Sequence, residues 1–120
     1  MKTITWHYGG LVQAGSHDLK TRRGGAARFR VNKRYKPVEV RLSLASAPKA
    51  DSLIIDINDD GVSLFDVRPS LVNGQDYRRW TTFSETGPTR IEDGSFLTLD
   101  IDETAAGAAA LTVELDLVEV

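Results

Sequence analysis

The side chains best suited to bind a ligand lie ahead of a glycine, where Asp56, Asn58 and Asp60 alternate before Gly61. Carboxylate and amide oxygens at this spacing match the first half of a calcium-binding loop. The second half departs from that pattern, because the twelfth position is Val67 rather than a bidentate glutamate. The residues after the glycine are also strand-like. A hairpin turn is therefore the preferred interpretation, and no metal site is predicted.

The residues around this motif predict the clearest β-hairpin in the chain. Leu53, Ile55 and Ile57 occupy alternate positions, which is the period of a strand with one buried face. Asp60 and Gly61 then supply the residue types that tolerate positive φ angles in a tight turn. The residues after the turn are apolar at alternate positions again, so a returning strand is expected.

Similar alternation recurs along the chain, and no amphipathic helix is predicted. About eight strands are expected, covering residues 3–8, 26–35, 38–44, 53–58, 62–65, 80–83, 96–102 and 111–117. Gly9-Gly10 is expected to end the first strand, and Pro37 is expected to interrupt pairing. Regularly spaced strands without crossover helices indicate an all-β fold, an antiparallel β-sandwich of the jelly-roll-like kind.

Length and composition fit a single domain over residues 1–120. Hydrophobic residues make up 41% and charged residues 27%, which is ordinary for a soluble globular chain. No apolar run is long enough to span a bilayer, and the first residues lack the apolar core of a signal peptide. The absence of cysteine excludes disulfides and cysteine-based zinc sites, and it fits synthesis in a reducing cytoplasm.

Charge is divided unevenly along the chain. Residues 1–50 carry eleven lysines and arginines against two acids, and residues 51–120 carry four arginines against fifteen acids. One interpretation is that residues 1–35 form a basic extended N-terminal arm that docks on an acidic partner. The other is that basic and acidic strands pair across one sheet. The sequence leaves both open, because it does not give the strand order.

The sequence predicts no enzyme and no cofactor. Residues 16–18 are Ser-His-Asp, but neighbours in sequence cannot wrap around to form a nucleophile, a base and an orienting group. Asp56, Asp100 and Asp102 lie on the polar faces of two predicted strands. If those strands were neighbours, the carboxylates could share a cation or act as paired carboxylates in acid–base catalysis. The simpler interpretation is that they keep a strand face hydrated.

Nucleic-acid binding is considered and not predicted. Residues 21–36 interleave basic side chains with Phe29 and Tyr35, a mixture used by single-strand binders. Phe29 is expected to point inward together with Val31, which leaves few rings free for stacking on bases. A basic stripe alone is only the first feature of a nucleic-acid interface.

A series of short motifs in a fixed order marks the chain from Val38 onward. They are Ala47-Pro48, residues 53–58 leading to Asp60-Gly61 and Phe65, Arg68-Pro69-Ser70-Leu71 followed by Gly74, residues 93–102, and Gly107 ahead of residues 111–115. In these motifs the chain resembles a family of small β-sandwich virion proteins of tailed bacteriophages. It departs from the family where Asp60-Gly61 replaces a common Asn-Gly, and where residues 102–104 lack a common glycine. At both places the residue types still favour a turn.

The resemblance implies a structural or attachment role. The expected protein is a non-enzymatic capsid decoration (cement) protein that binds the outer capsid surface and stabilises the shell. Its expected partners are the major capsid protein and copies of itself as a homotrimer, with neither nucleic acid nor membrane. The expected location is the capsid exterior of a virion assembled in the host cytoplasm. The alternative is a receptor- or carbohydrate-binding module of a tail or fibre, although a 120-residue chain is expected to lack a long fibre anchor.

Aromatic and arginine side chains are the candidate contacts, because these types dominate interface hot spots. The first cluster is Trp6, Tyr8, Arg22, Arg23, Arg28 and Arg30, and the second is Tyr77, Arg78, Arg79 and Trp80. The alternative for the first cluster is that Trp6 and Tyr8 belong to the core while the arginines are solvated. The second cluster is expected on a loop rim, where it suits subunit contact or stacking on a glycan.

Overall fold

The computed structural model describes residues 1–12, 28–85, 87 and 89–120. These residues contain no helix and form an all-β sandwich, as the sequence predicts. Nine strands are present rather than about eight: β1 (Lys2–Leu11), β2 (Arg28–Arg30), β3 (Tyr35–Ser46), β4 (Leu53–Asp59), β5 (Val62–Ser63), β6 (Ser70–Leu71), β7 (Tyr77–Trp80), β8 (Phe96–Glu103) and β9 (Ala109–Glu119).

The strands form two antiparallel sheets. In sheet A the order is β1-β9-β3-β7, and in sheet B it is β2-β8-β4-β5, with β6 also paired to β4. Strands that are far apart in sequence therefore lie side by side, most clearly β1 and β9. The basic β3 lies beside the acidic β9, where Arg41 is directly opposite Glu114. This arrangement is the cross-strand charge pairing that the sequence left open.

The core lies between the two sheets and is built from the side chains at alternate positions of the long strands. Apolar side chains of this size each contribute about 1.5–3 kcal/mol when fully buried. Sheet B contributes the predicted inward face of β4, and sheet A contributes matching faces of β3 and β9. The completely buried side chains of these three strands include Leu53, Ile55, Ile57, Val40, Leu42, Leu111, Val113, Leu115 and Leu117.

The predicted hairpin is confirmed between β4 and β5. Asp59 pairs with Val62, which leaves Asp60 and Gly61 as a two-residue connection. Their φ angles are 48° and 87°, so both lie in the left-handed region. A two-residue turn with two positive φ angles matches the right-handed twist of the flanking strands.

Replacing Gly61 by alanine should lower the free energy of unfolding by about 1–2 kcal/mol, because a Cβ is strained in the left-handed region. Nothing lies within 4 Å of a Cβ built at this position, so the expected loss comes from backbone strain and not from a collision. Gly9→Ala is the matched control, since Gly9 does not have a left-handed φ and its nearest neighbour is 3.8 Å away. Urea denaturation measures both variants, and equal losses would contradict this explanation.

Two local expectations about strand ends were wrong. The glycine pair does not end β1, which continues to Leu11 through a register shift between Tyr8 and Leu11. Gly10 accommodates the shift with a φ of 77°. A bulge of this kind adds one residue to a strand without ending its pairing.

Pro37 also lies inside a strand instead of interrupting one. β3 includes it, and the pairing with β9 shifts between Pro37 and Glu39. The shift moves Val38 to the exposed side, although its spacing from Val40 predicted a buried position. Proline is accepted at a bulge because the ladder loses a hydrogen bond there in any case.

A basic arm over residues 1–35 was one of the two interpretations left open, and part of this segment lies in the two sheets. β1 pairs with β9, and β2 pairs with β8. β2 is also much shorter than the strand predicted over residues 26–35, because residues 31–34 lie outside any strand. Residues 13–27 lie outside the described residues.

Candidate interaction surface

The first predicted cluster does not form one surface in the described residues. Trp6 is only 7% exposed and belongs to the core, so it is not available as a contact residue. Tyr8 is half-buried and packs against the same core. Arg30 is exposed and lies over the ring of Phe96 at 5.4 Å, and Arg28 belongs to the same strand, β2. Arg22 and Arg23 lie outside the described residues, as do residues 16–18.

The second predicted cluster lies on β7, an edge strand of sheet A, and not on a loop rim. Because side chains alternate along a strand, the four residues divide between two faces. Tyr77 and Arg79 are opposite Ser43 and Arg41 on the outer face, and Tyr77 is 51% exposed.

The other two residues of β7 lie on its inner side. Arg78 is opposite the buried Leu42, and Trp80 is opposite the buried Val40. The Arg78 guanidinium is 4.5 Å from the centre of the Trp80 ring, and it donates to the carbonyl oxygen of Ser70 at 3.2 Å. Trp80 is thus held against the sandwich. β1, which contains Trp6 and Tyr8, is separated from β7 by two strands, so these two strands are roughly 14 Å apart.

The outer face of sheet A carries a hydrogen-bonded row that sequence reasoning did not assemble. We call it the ionic row, and its members are Thr3, Asp116, Glu39, Arg41 and Arg79, with at least one from each of the four strands. The Thr3 hydroxyl donates to Asp116 at 2.7 Å. Arg41 donates to Asp116 at 3.1 Å and to Glu39 at 2.7 Å, and Arg79 donates to Glu39 at 2.8 Å.

The arginines keep the carboxylates of the ionic row charged. Hydrogen bonds from Arg79 and then from Arg41 lower the pKa of Glu39. The hydrogen bond from Arg41 lowers the pKa of Asp116. In return, the carboxylates raise the pKa of Arg41 further above its usual value. The row therefore presents fixed charges at neutral pH. Its side chains are already oriented, which reduces the entropy that binding to another surface costs.

A second polar group lies on the face of sheet B that points away from the core. Asp56 and Asp100 are directly opposite on β4 and β8, so the strands that the sequence could only suppose to be neighbours are adjacent. Asn58 donates to Asp100 at 2.7 Å, and Ser63 donates to Asp56 at 2.6 Å. Asp56 is buried, and this burial raises its pKa despite the Ser63 hydrogen bond. Asp102 forms an ion pair with Arg68.

The calcium pattern of the sequence does not become a site in the described residues. Asp56 and Asn58 make the hydrogen bonds just described, whereas Asp60 accepts from the backbone N–H of Phe96 at 2.9 Å in the turn. Within the described ranges, no group of three or more histidines, aspartates or glutamates is placed to hold a metal ion. The hairpin interpretation of these residues rests on the pairing of β4 with β5.

An apolar groove of about 450 Å³ lies beside the bulge of β3. Pro37, Val38, Phe83 and Val118 line it, together with polar side chains. Val38 and Val118 are each 39% exposed, so the groove is open to solvent. Val38, which lies at the bulge, is part of the lining of this groove.

Comparison with known proteins adds no identification, because no family model and no curated protein matches the chain. In the part of the chain that the structure describes, no helix is long and apolar enough to cross a membrane.

Proposed function

We propose that the chain is a non-enzymatic virion structural protein that decorates the outer surface of a bacteriophage capsid and stabilises the shell. The family resemblance from Val38 onward suggests this role, and the all-β sandwich is compatible with it. The proposed partners are the major capsid protein and copies of the same chain, arranged as a homotrimer at capsomer junctions. The mechanism would be adhesive, with buried area and charge pairs bridging neighbouring capsid subunits.

The observation that carries the proposal is the outer face of sheet A. Its ionic row joins all four strands by side-chain hydrogen bonds and holds Arg79, whose side chain is 64% exposed, in a fixed position. The half-exposed Tyr77 lies on the same face beside Arg79. A tyrosine next to an arginine on a rigid sheet is the composition of an interface hot spot.

The experiment mixes purified protein with capsids that lack it and measures co-sedimentation and resistance of the particles to heat. The natural chain should sediment with the capsids and raise their disruption temperature. Tyr77→Ala should weaken capsid binding by about tenfold, because a hot-spot truncation costs more than 1 kcal/mol. Val67→Ala is the matched control, since Val67 is 67% exposed and does not belong to sheet A.

Two results would contradict the proposal. One is binding to isolated tails or host cells but not to capsids, which would favour the receptor-binding alternative. The other is equal weakening by Tyr77→Ala and Val67→Ala, which would exclude the outer face of sheet A as the contact. Thermal unfolding of both variants verifies that the sandwich is intact before binding is compared.

A further inference from the structure

One side of the apolar groove beside the bulge of β3 is held in place by contacts outside the groove. Phe83 lies on this side, and its ring stacks on the ring of Phe65 with 5.4 Å between the ring centres. The next residue, Ser84, donates from its backbone N–H to the carbonyl oxygen of Leu64 at 2.7 Å, and its hydroxyl donates to Asp66 at 2.7 Å. These contacts fix the position of Phe83 before anything binds, which lowers the entropic cost of binding.

The opposite side of the groove is apolar and partly exposed. Val38 and Val118 are each 39% exposed, and they lie beside the buried Pro37. The volume of about 450 Å³ is within the range of ligand-binding clefts. Such clefts bury most of a small ligand, whereas this groove is open to solvent and covers only one side of an occupant. It therefore fits a side chain presented by a partner protein better than it fits a free small molecule.

The charge that the groove presents is positive. Lys36 is the only charged side chain among the described residues that line it, and it forms no ion pair with another described residue. On the adjoining strand β7, Arg79 is 64% exposed, whereas its partner Glu39 is only 11% exposed. The exposed Glu119 at the end of β9 is paired with Lys33 at 3.6 Å. This distribution of charge is complementary to an acidic partner.

We propose that the groove binds a segment of a partner protein in which an apolar side chain lies next to a carboxylate. The apolar side chain packs against Val38 and Phe83, and the carboxylate pairs with Lys36. The apolar contact supplies most of the affinity, because an exposed ion pair contributes little. The carboxylate supplies the selectivity for an acidic segment. This site is separate from the contact through Tyr77, and it does not depend on the proposed capsid role.

Titration with two blocked tetrapeptides, followed by nuclear magnetic resonance, tests the proposal. Acetyl-Gly-Phe-Asp-Gly-amide carries both groups, and acetyl-Gly-Phe-Asn-Gly-amide lacks only the charge. Both should move the signals of Val38 and Val118, and the Asp peptide should bind about three times more tightly, as expected for an exposed ion pair. Lys36→Gln should remove this preference. Lys33→Gln is the matched control and should keep it, because Lys33 pairs with Glu119.

The apolar contact is measured with a second pair of variants. Val38→Asn should weaken binding of the Asp peptide by at least about fivefold, because the methyl groups that pack against the phenylalanine ring are lost. Val67→Asn is the matched control and should leave binding unchanged, since Val67 is 67% exposed and does not line the groove.

Three results would overturn the proposal. The first is that the Asp peptide at about 10 mM leaves the signals of the groove unchanged. The second is equal affinity of the natural chain for the two peptides, or an equal loss in Val38→Asn and Val67→Asn. The third is tighter binding of 3-phenylpropionate than of the Asp peptide, because this compound offers the ring and the carboxylate without a peptide backbone and would indicate a small-molecule site.

Discussion

Replacing Leu115 by alanine should lower the free energy of unfolding by about 3 kcal/mol. Leu115 is completely buried near the middle of β9, where its cross-strand neighbours are Ile4 on β1 and Val40 on β3. All three side chains are buried between the sheets, so the space left by the removed atoms cannot be filled by a simple side-chain rotation. The loss is large relative to the total stability of a domain, which is about 5–15 kcal/mol.

Urea denaturation measures this loss as a shift of the midpoint at constant slope. Val118→Ala is the matched control on the same strand, because Val118 is 39% exposed. Its expected cost is within about 0.5 kcal/mol, as for other surface substitutions. Similar losses at the two positions would mean that the core does not lie where the burial pattern of β9 places it.

The second expected result is a gain in stability when Asp56 is replaced by asparagine. Burial raises the pKa of Asp56, and Asp102 raises it further, so the folded protein binds a proton more readily than the unfolded chain does. Such a group lowers stability progressively as the pH rises from its unfolded value through its folded value. The cost is fully present above the folded pKa and absent below about pH 4. Asparagine removes the buried charge and retains an oxygen that accepts from Ser63.

Thermal unfolding of both proteins between pH 3 and pH 8 checks the direction of this pH dependence. The range includes the titration of a carboxyl group. The melting temperature of Asp56→Asn should exceed that of the natural chain at pH 8, and the difference should decrease as the pH falls. Asp116 and Glu39 have lowered pKa values, so they make stability increase as the pH rises. Both proteins share these two residues, so the difference between the proteins does not contain their effect. Ser63→Ala is the complementary variant, because it removes the hydroxyl donor of Asp56. A difference that is constant with pH would mean that Asp56 does not titrate differently on folding.

Alternating apolar residues predicted the strands. They could not predict the features that depend on how neighbouring strands pair. The inward faces of β4 and β9 follow directly from alternate apolar residues. The outward position of Val38 does not, because the bulge of β3 reverses the alternation at one residue. The strand predicted over residues 80–83 lies three residues earlier, at Tyr77–Trp80, where Leu42 and Val40 supply partners.

The ionic row could not be predicted for a different reason. Glu39 and Arg41 are two residues apart on one face of a predicted strand, and Asp116 lies on the matching face of another. Only the strand order brings β9 between β1 and β3, and it is this order that places Thr3 and Arg41 on either side of Asp116. The pairing of Asp56 with Asp100 could not be predicted either, because it depends on β4 and β8 being neighbours.

The pairing of β1 with β9 also has a consequence during synthesis on the ribosome. Residues 2–11 leave the ribosome early, but their partner, residues 109–119, is made about a hundred residues later. Until then Ile4 and Trp6 have no sheet to pack into, and β3 lacks its long neighbour as well. Sheet A should therefore complete late and slowly, as expected for strand pairs distant in sequence. A chaperone that holds the emerging N-terminal strand would raise the yield of folded protein more than one that acts on sheet B.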